Sequence, residues 1–302
     1  MTTPTRLRPT FRPAESLVSV FFCGPAVVLY LGFVVLPAVM GFAYSLRNWT
    51  GWSLDAEFVG LANFAELLRD ERLAQAIRFT VFETVLIVLA FALGAMVLAV
   101  LLDRARRMRA LLQGLFFYPY VLSVLVSALL FQYLANYREG LVNVLLRAAG
   151  LESWAQDWMG DPALVGYFIF ALVAWTGLGF FTTLYMANLQ AIPVEYYEAA
   201  QLDGAGPVSV FRNVQFPMLR PALTVNSVLA TITGLNLFSH IMVTTQGGPG
   251  YRTMTIGYYV YWQGVLNNRQ GYSAALSLVV FVAVALVAIV QVALLRRRTV
   301  DL

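Results

Sequence analysis

The chain has no lysine, one histidine and one cysteine, and only 12% of its 302 residues are charged. Without lysine the phosphate-cradling loop GxxxxGK[ST] cannot be written anywhere in it, so the chain is not its own P-loop ATPase. His240 and Cys23 alone make neither a His/Cys metal cluster nor a disulfide, and no grouping of nucleophile, base and metal marks a catalytic site. Cys23 falls within an apolar run and is expected to be a buried thiol. What is plentiful is apolar: 60% of residues are hydrophobic and the mean hydropathy is +0.71. Those values lie far outside the range of soluble domains and describe an integral membrane protein.

A bilayer core of roughly 30 Å takes about 20 helical residues, and a charge at its centre is costly, so charge-poor runs mark the spans. Six runs qualify, and the pattern predicts helices over 17–45, 80–102, 110–134, 164–188, 221–244 and 272–295. The first is preceded by Arg6, Arg8 and Arg12, as a secretory signal would be, but its length, Pro25 and Pro37 argue for a span. With no repeat and no low-complexity linker, the reading is one all-α polytopic domain. It has a tail at 1–16, a six-helix body at 17–295 containing a polar loop at 189–217, and a second tail at 296–302.

Basic residues in short loops orient such a bundle. The clusters Arg6/Arg8/Arg12, Arg104/Arg106/Arg107/Arg109 and Arg296/Arg297/Arg298 all fall on one side of a six-span arrangement. That side is the cytoplasm, which places both termini and the 189–220 loop there. Arginines on the other side, such as Arg69, Arg72 and Arg138, sit among Asp70, Glu71 and Glu139. The net charge of +4 is therefore a topology signal, without the continuous basic face that nucleic acid would need.

On the outer side, Trp49 and Trp52 are expected to form an interfacial belt, and residues 61–76 to form a short amphipathic helix. A similar segment spans 136–161, ending at Asp161-Pro162. Glu83 is the only acid within a span; about one turn deep, it is expected to snorkel to the interface. Gly247-Gly248-Pro249-Gly250 ends the fifth span and reads as a turn or as a re-entrant piece of an outer gate.

The polar loop carries local helix signals. Pro193 suits the first helical position, Glu195 and Glu198 lie toward the positive end of the helix dipole, Ala199 and Ala200 allow close approach, and Gly204 supplies a left-handed stop. The helix so defined has about ten residues, too few to stand alone in water, and needs a surface to pack on.

The pattern Glu198-Ala199-Ala200, three residues, Gly204, nine residues, then Val214-Gln215-Phe216-Pro217 resembles the signature loop of membrane-spanning subunits of bacterial ATP-binding-cassette importers. Further stretches resemble the carbohydrate permeases of the maltose and glycerol-3-phosphate type. These are Tyr118-Pro119-Tyr120, Gly140-Leu141-Val142-Asn143, Trp175-Thr176-Gly177, Leu189 to Pro193, Leu202-Asp203-Gly204-Ala205 and Thr245 to Pro249. The likeness covers about residues 17–297; it departs where Ser239-His240 stands in place of the commoner Phe-Asp.

The resemblance implies a type I importer transmembrane fold in a bacterial inner membrane, importing a sugar or polyol. Pro193, Glu195, Glu198, Ala199, Ala200, Asp203, Gly204 and Pro217 would form the coupling element seated on a separate ATPase. It implies no cofactor on this chain, ATP and Mg on two ATPase subunits, a second homologous permease, and an extracytoplasmic solute-binding protein. Sugar recognition by aromatic stacking and hydrogen bonding makes Tyr118, Tyr120, Trp175, Thr176, Gly177, Asn236, Ser239 and His240 the pathway residues. Phosphate recognition would call for buried arginine, which the spans lack. The competing reading is a stand-alone carrier driven by an ion gradient; that reading wants membrane-embedded carboxylates or lysines and an internal repeat, and has only Glu83 to offer.

Overall fold

The computed structural model describes residues 13–52, 56–105 and 107–296. Arg6, Arg8, Arg12, Arg106, Arg297 and Arg298, with most of both tails, lie outside these residues. Among the described residues five helices are long and apolar enough to cross a bilayer: Phe21–Ser45, Glu71–Arg104, Val165–Gln190, Arg220–Val243 and Gln270–Leu294. A sixth crossing, the third in chain order, is the pair Arg109–Val121 and Val124–Leu134, bent by 98°. The all-α bundle is as expected, apart from a two-residue antiparallel pairing of Arg47–Asn48 with Glu57–Phe58.

Spans two, four and five build the core, with Ile87, Phe91, Ala95, Ile169, Leu172, Tyr185, Ala230 and Leu237 buried among them. Lipid tails are as apolar as leucine, so helices in a membrane gain by approaching closely, and small residues mark the crossings. A Cβ on Gly179 would stand 2.0 Å from the backbone oxygen of Phe116, and one on Gly234 would stand 2.7 Å from Cα of Thr84. The third and fourth spans therefore touch backbone to backbone, as do the second and fifth. Within the π-helical stretch Leu89–Gly94 of the second span, the Ala92 carbonyl accepts a hydrogen bond of 2.7 Å from the Tyr185 hydroxyl.

The first span behaves differently: none of its most apolar window is buried, and only its second half, Leu36–Ser45, lies along the last span. Cys23 is consequently exposed in this chain, not buried as expected.

The second span also starts earlier than hydropathy indicates. Asp70 caps it by accepting from the backbone N–H of Arg72 at 2.9 Å and of Leu73 at 3.1 Å, so 71–76 belong to the span. The separate amphipathic helix shrinks to Ala62–Leu67. Glu83 therefore sits more than three turns along the helix. It is fully buried beside Gly166 in the first turn of the fourth span, where the helix dipole is positive, and it does not snorkel.

Asp70 does more than cap. Its Oδ2 accepts from the Tyr259 hydroxyl at 2.5 Å and from the Tyr272 hydroxyl, while Arg269 pairs with Glu66 at 2.6 Å. Arg72 lies 5.0 Å above the Tyr251 ring and 5.5 Å above that of Trp262. Segments separated by about 190 residues are thereby latched at one end of the bundle. Burial opposes ionisation of Asp70, but the hydrogen bonds from Tyr259, Tyr272, Leu73 and Arg72 outweigh it and hold the carboxyl below its ordinary value of 3.8. A carboxyl depressed in the folded state contributes stability that is present above that ordinary value and is lost as pH falls through the lower, folded value. Thermal unfolding of the detergent-solubilised chain should therefore show Asp70→Asn melting below wild type at neutral pH. The gap should close below about pH 3.8; a gap independent of pH across that range would refute the assignment.

Candidate coupling and transport sites

At the end of the bundle opposite Asp70, the fourth span closes at Gln190 and the chain turns through Ala191 and Ile192. Pro193 is the N-cap, with φ −57° and ψ 140°, so the helix is Val194–Leu202, nine residues and about 13 Å long. Proline was expected one position further in. Its fixed φ suits both places, and the extended ψ decides for the cap.

The C-terminus closes as a Schellman turn. Gly204 N–H donates to Gln201 O at 3.0 Å, Ala205 N–H donates to Ala200 O at 2.9 Å, and Gly204 takes φ +70°. Asp203 is the C-cap residue.

This helix buries none of its residues. Leu202 is 90% exposed, Val194 60% and Tyr196 52%. Glu195, Glu198 and Ala199 are exposed and Ala200 is half-buried. Glu198 makes no ion pair among the described residues. The segment that follows is anchored: Gln215 is buried, Val214, Phe216 and Pro217 are half-buried, and the rings of Phe211 and Phe216 meet at 6.1 Å. Arg104, at the end of the second span, donates to the Pro207 carbonyl at 3.1 Å. The arrangement is a helix with bare apolar and acidic groups on a fastened base.

The expected pathway residues fall into tiers along the fourth span. The Tyr120 ring stacks on Phe180 at 4.5 Å, next to buried Pro119 and to Tyr118, which is 64% exposed. Five residues earlier, about 7.5 Å along the axis, Trp175 meets Phe131 at 5.3 Å.

Asn236, Ser239 and His240 lie where the fifth span breaks between Arg220–Leu235 and Phe238–Val243. Asn236 and Ser239 are exposed; His240 is half-buried, with Nδ1 buried and without a hydrogen-bond partner. Two of these residues also have local roles. A Cβ on Gly177 would come 2.3 Å from the Phe91 ring, so the second span packs against one side of this glycine. The Thr176 hydroxyl donates back to Leu172 O or Val173 O, at 3.0 and 3.1 Å, which occupies its proton within the helix.

The third span owes its bend to a change of backbone at Leu122 and Ser123, both extended; Ser123 then caps the second piece by accepting from Val126 N–H at 3.3 Å. Gln132 on that piece donates to Val243 O at 2.8 Å and to Thr244 O at 3.0 Å, tying it to the end of the fifth span. Sequence reasoning passed over Gln132, although a lone amide inside an apolar run of a span was the available signal. The glycine-rich segment beyond is a closed turn, held by Thr253 Oγ1 donating to Gly248 O at 2.6 Å.

The described residues form a polytopic α-helical bundle with a broken third span and an exposed helix between spans four and five, the architecture of a membrane transport subunit. Residues 95–300 match the family described as "Binding-protein-dependent transport system inner membrane component", and the chain belongs to that family. It is 31% identical over 280 residues to the probable ABC transporter permease protein YurN of Bacillus subtilis, covering 92% of this chain and 95% of that one. It is also 31% identical to the multiple sugar-binding transport system permease protein MsmF of Streptococcus mutans, over 90% of this chain and 92% of that one. Among solved structures, a chain of the bacterial alginate ABC transporter in complex with an alginate pentasaccharide-bound periplasmic protein superposes with a TM-score of 0.83. The identity there is 21%, over 95% of this chain and 96% of that one, and this likeness confirms the fold.

Replacing Gln132 by Leu should leave the Val243 and Thr244 carbonyls unpaired in the bundle. The expected cost is about 1–3 kcal/mol, seen as a lowered unfolding midpoint. An unchanged midpoint would show that Gln132 does not hold the two spans together.

Proposed function

We propose that this chain is the permease subunit of an ATP-driven importer that carries a sugar or polyol inward, with no chemistry of its own. The observation that carries the reading is the exposed helix Val194–Leu202, capped at both ends, fixed at its base and unpartnered on its outer surface. A cleft on a separate ATPase gives that surface its counterpart, with Leu202 and Val194 contributing apolar contact and Glu198 meeting a basic group. Two ATPase subunits holding ATP and Mg, a second homologous permease and an extracytoplasmic binding protein complete the assembly.

In this reading the helix and both termini face the cytoplasm, in keeping with the arginines gathered there, and the Asp70 latch faces outward. Residues 17–295 are the working domain, with 1–16 and 296–302 as cytoplasmic tails. Carbohydrate as cargo is supported by the aromatic tiers at Tyr120 and Trp175, by the sugar system to which MsmF belongs and by the alginate transporter whose fold the chain shares.

Glu83, a carboxyl buried inside a span, is the one feature that suits a carrier driven by an ion gradient, and reconstitution separates the two readings. The chain alone in liposomes should pass no solute under an ion gradient, whereas the full complex with ATP should accumulate it. Within the complex, Glu198→Lys should insert normally yet lose at least tenfold in ATP-driven uptake. Gly204→Val should do the same, because a branched residue in the left-handed conformation costs about 1–2 kcal/mol and unwinds the cap. Flux through the isolated chain, or wild-type uptake by both variants, would overturn the reading.

A further inference from the structure

A cavity of about 840 Å³ opens on the Asp70 side, between the first turns of the second span and the turn that follows the fifth. Glu71, Gln75, Arg78, Phe79, Phe82 and Arg252 line it. None of them belongs to the pathway tiers or to the coupling helix.

Its walls are held in place. Arg72, one residue beyond the cavity wall, packs over Tyr251 and Trp262 and so fixes the backbone on each side of Tyr251, where Gly250 and Arg252 enter the lining. The Phe79 and Phe82 rings lie 6.5 Å apart, and the Phe82 ring meets Tyr167 edge-on at 5.8 Å. An aromatic strip thus runs from the cavity onto the fourth span. Behind it, where Gly166 faces Phe79, Phe82 and Glu83 together, the Glu83 carboxyl is buried with both oxygens lacking a hydrogen-bond partner.

The chemistry selects the occupant. Here carboxylate, amide and two guanidinium groups line a concave space whose size falls within the roughly 300–1,000 Å³ of small-molecule sites. Each of those groups is a planar fork offering paired donors or acceptors to adjacent hydroxyls, and the phenyl faces suit the C–H face of a pyranose ring. The two arginines against one glutamate disfavour a cationic ligand.

We propose that this cavity is a carbohydrate-binding site that receives the cargo on the outer side, before it reaches the tiers at Trp175 and Tyr120. Arg78, Arg252, Gln75 and Glu71 hold hydroxyls, and Phe79 and Phe82 stack on the ring. The site rests on the importer reading, and the experiment keeps the two apart.

The reconstituted complex is first tested for ATP-driven uptake of glucose, maltose, raffinose and glycerol 3-phosphate, and an imported compound becomes the probe. Ala74 lies on the cavity wall, so Ala74→Cys in a Cys23→Ser background is labelled with a membrane-impermeant maleimide, without binding protein present. The probe should slow labelling at least fivefold, while a non-imported sugar at equal concentration leaves the rate unchanged. Arg78→Ala with Arg252→Ala should abolish that protection and raise KM for uptake more than it lowers the maximal rate. Trp175→Ala should impair uptake and keep the protection.

Labelling unaffected by an imported probe, or slowed only by binding protein, would overturn the outer site and leave the importer intact. Absence of ATP-driven uptake of all four compounds would remove the reading beneath it.

Discussion

Backbone amides and carbonyls cannot be left bare in hydrocarbon, and much of this architecture follows from that constraint. It forces the crossings to be helical and restricts every interruption to places where a side chain replaces the missing partner. The break at Leu122 is closed by the Ser123 hydroxyl, the break at Leu235 by the Asn236 amide donating to Ile232 O at 3.0 Å, and the end of Phe238–Val243 by Gln132. The irregular points are therefore the points that carry polar side chains, with Ser123, Gln132 and Asn236 supplying the missing partners.

The helix Val194–Leu202 was legible in sequence because its determinants are local. A proline fixes the entry, acids favour the first turns, and a glycine accepts the left-handed exit; each acts within a few residues of itself. The six apolar runs were legible for the same reason. The latch at Asp70 was not, since its partners Tyr259 and Tyr272 lie about 190 residues away and nothing in the local composition of 66–72 distinguishes a cap from a solvated acid. The packing of Gly177 was hidden by a related gap. The triplet Trp175-Thr176-Gly177 shows which residues share a turn, but not that Phe91 of another span fills the side the glycine leaves open. Hydropathy also missed the 98° bend in the third span, because an apolar average carries no information about direction.

The two ends of the molecule are built on opposite principles. At the Asp70 end, buried tyrosine hydroxyls converge on one carboxylate, arginine faces cover aromatic rings and an ion pair closes the rim. At the other end a nine-residue helix presents leucine, valine and tyrosine to water beside unpaired glutamates. A helix this short draws its stability from packing, supplied here by the anchored segment at its base.

One element joins those ends. The second span runs unbroken from Glu71, next to the Asp70 cap, to Arg104, whose side chain reaches the Pro207 carbonyl at the base of the coupling loop. Its 34 residues make a rod of roughly 50 Å. Along it lie the buried contacts with the fourth and fifth spans, including Thr84 against Gly234 and Phe91 against Gly177. Close-packed backbone contacts of this sort shift in steps and do not deform smoothly. The π-helical stretch Leu89–Gly94, steadied by Tyr185, is the irregular part of that rod. It lies between the end latched at Asp70 and the end held to the Pro207 carbonyl.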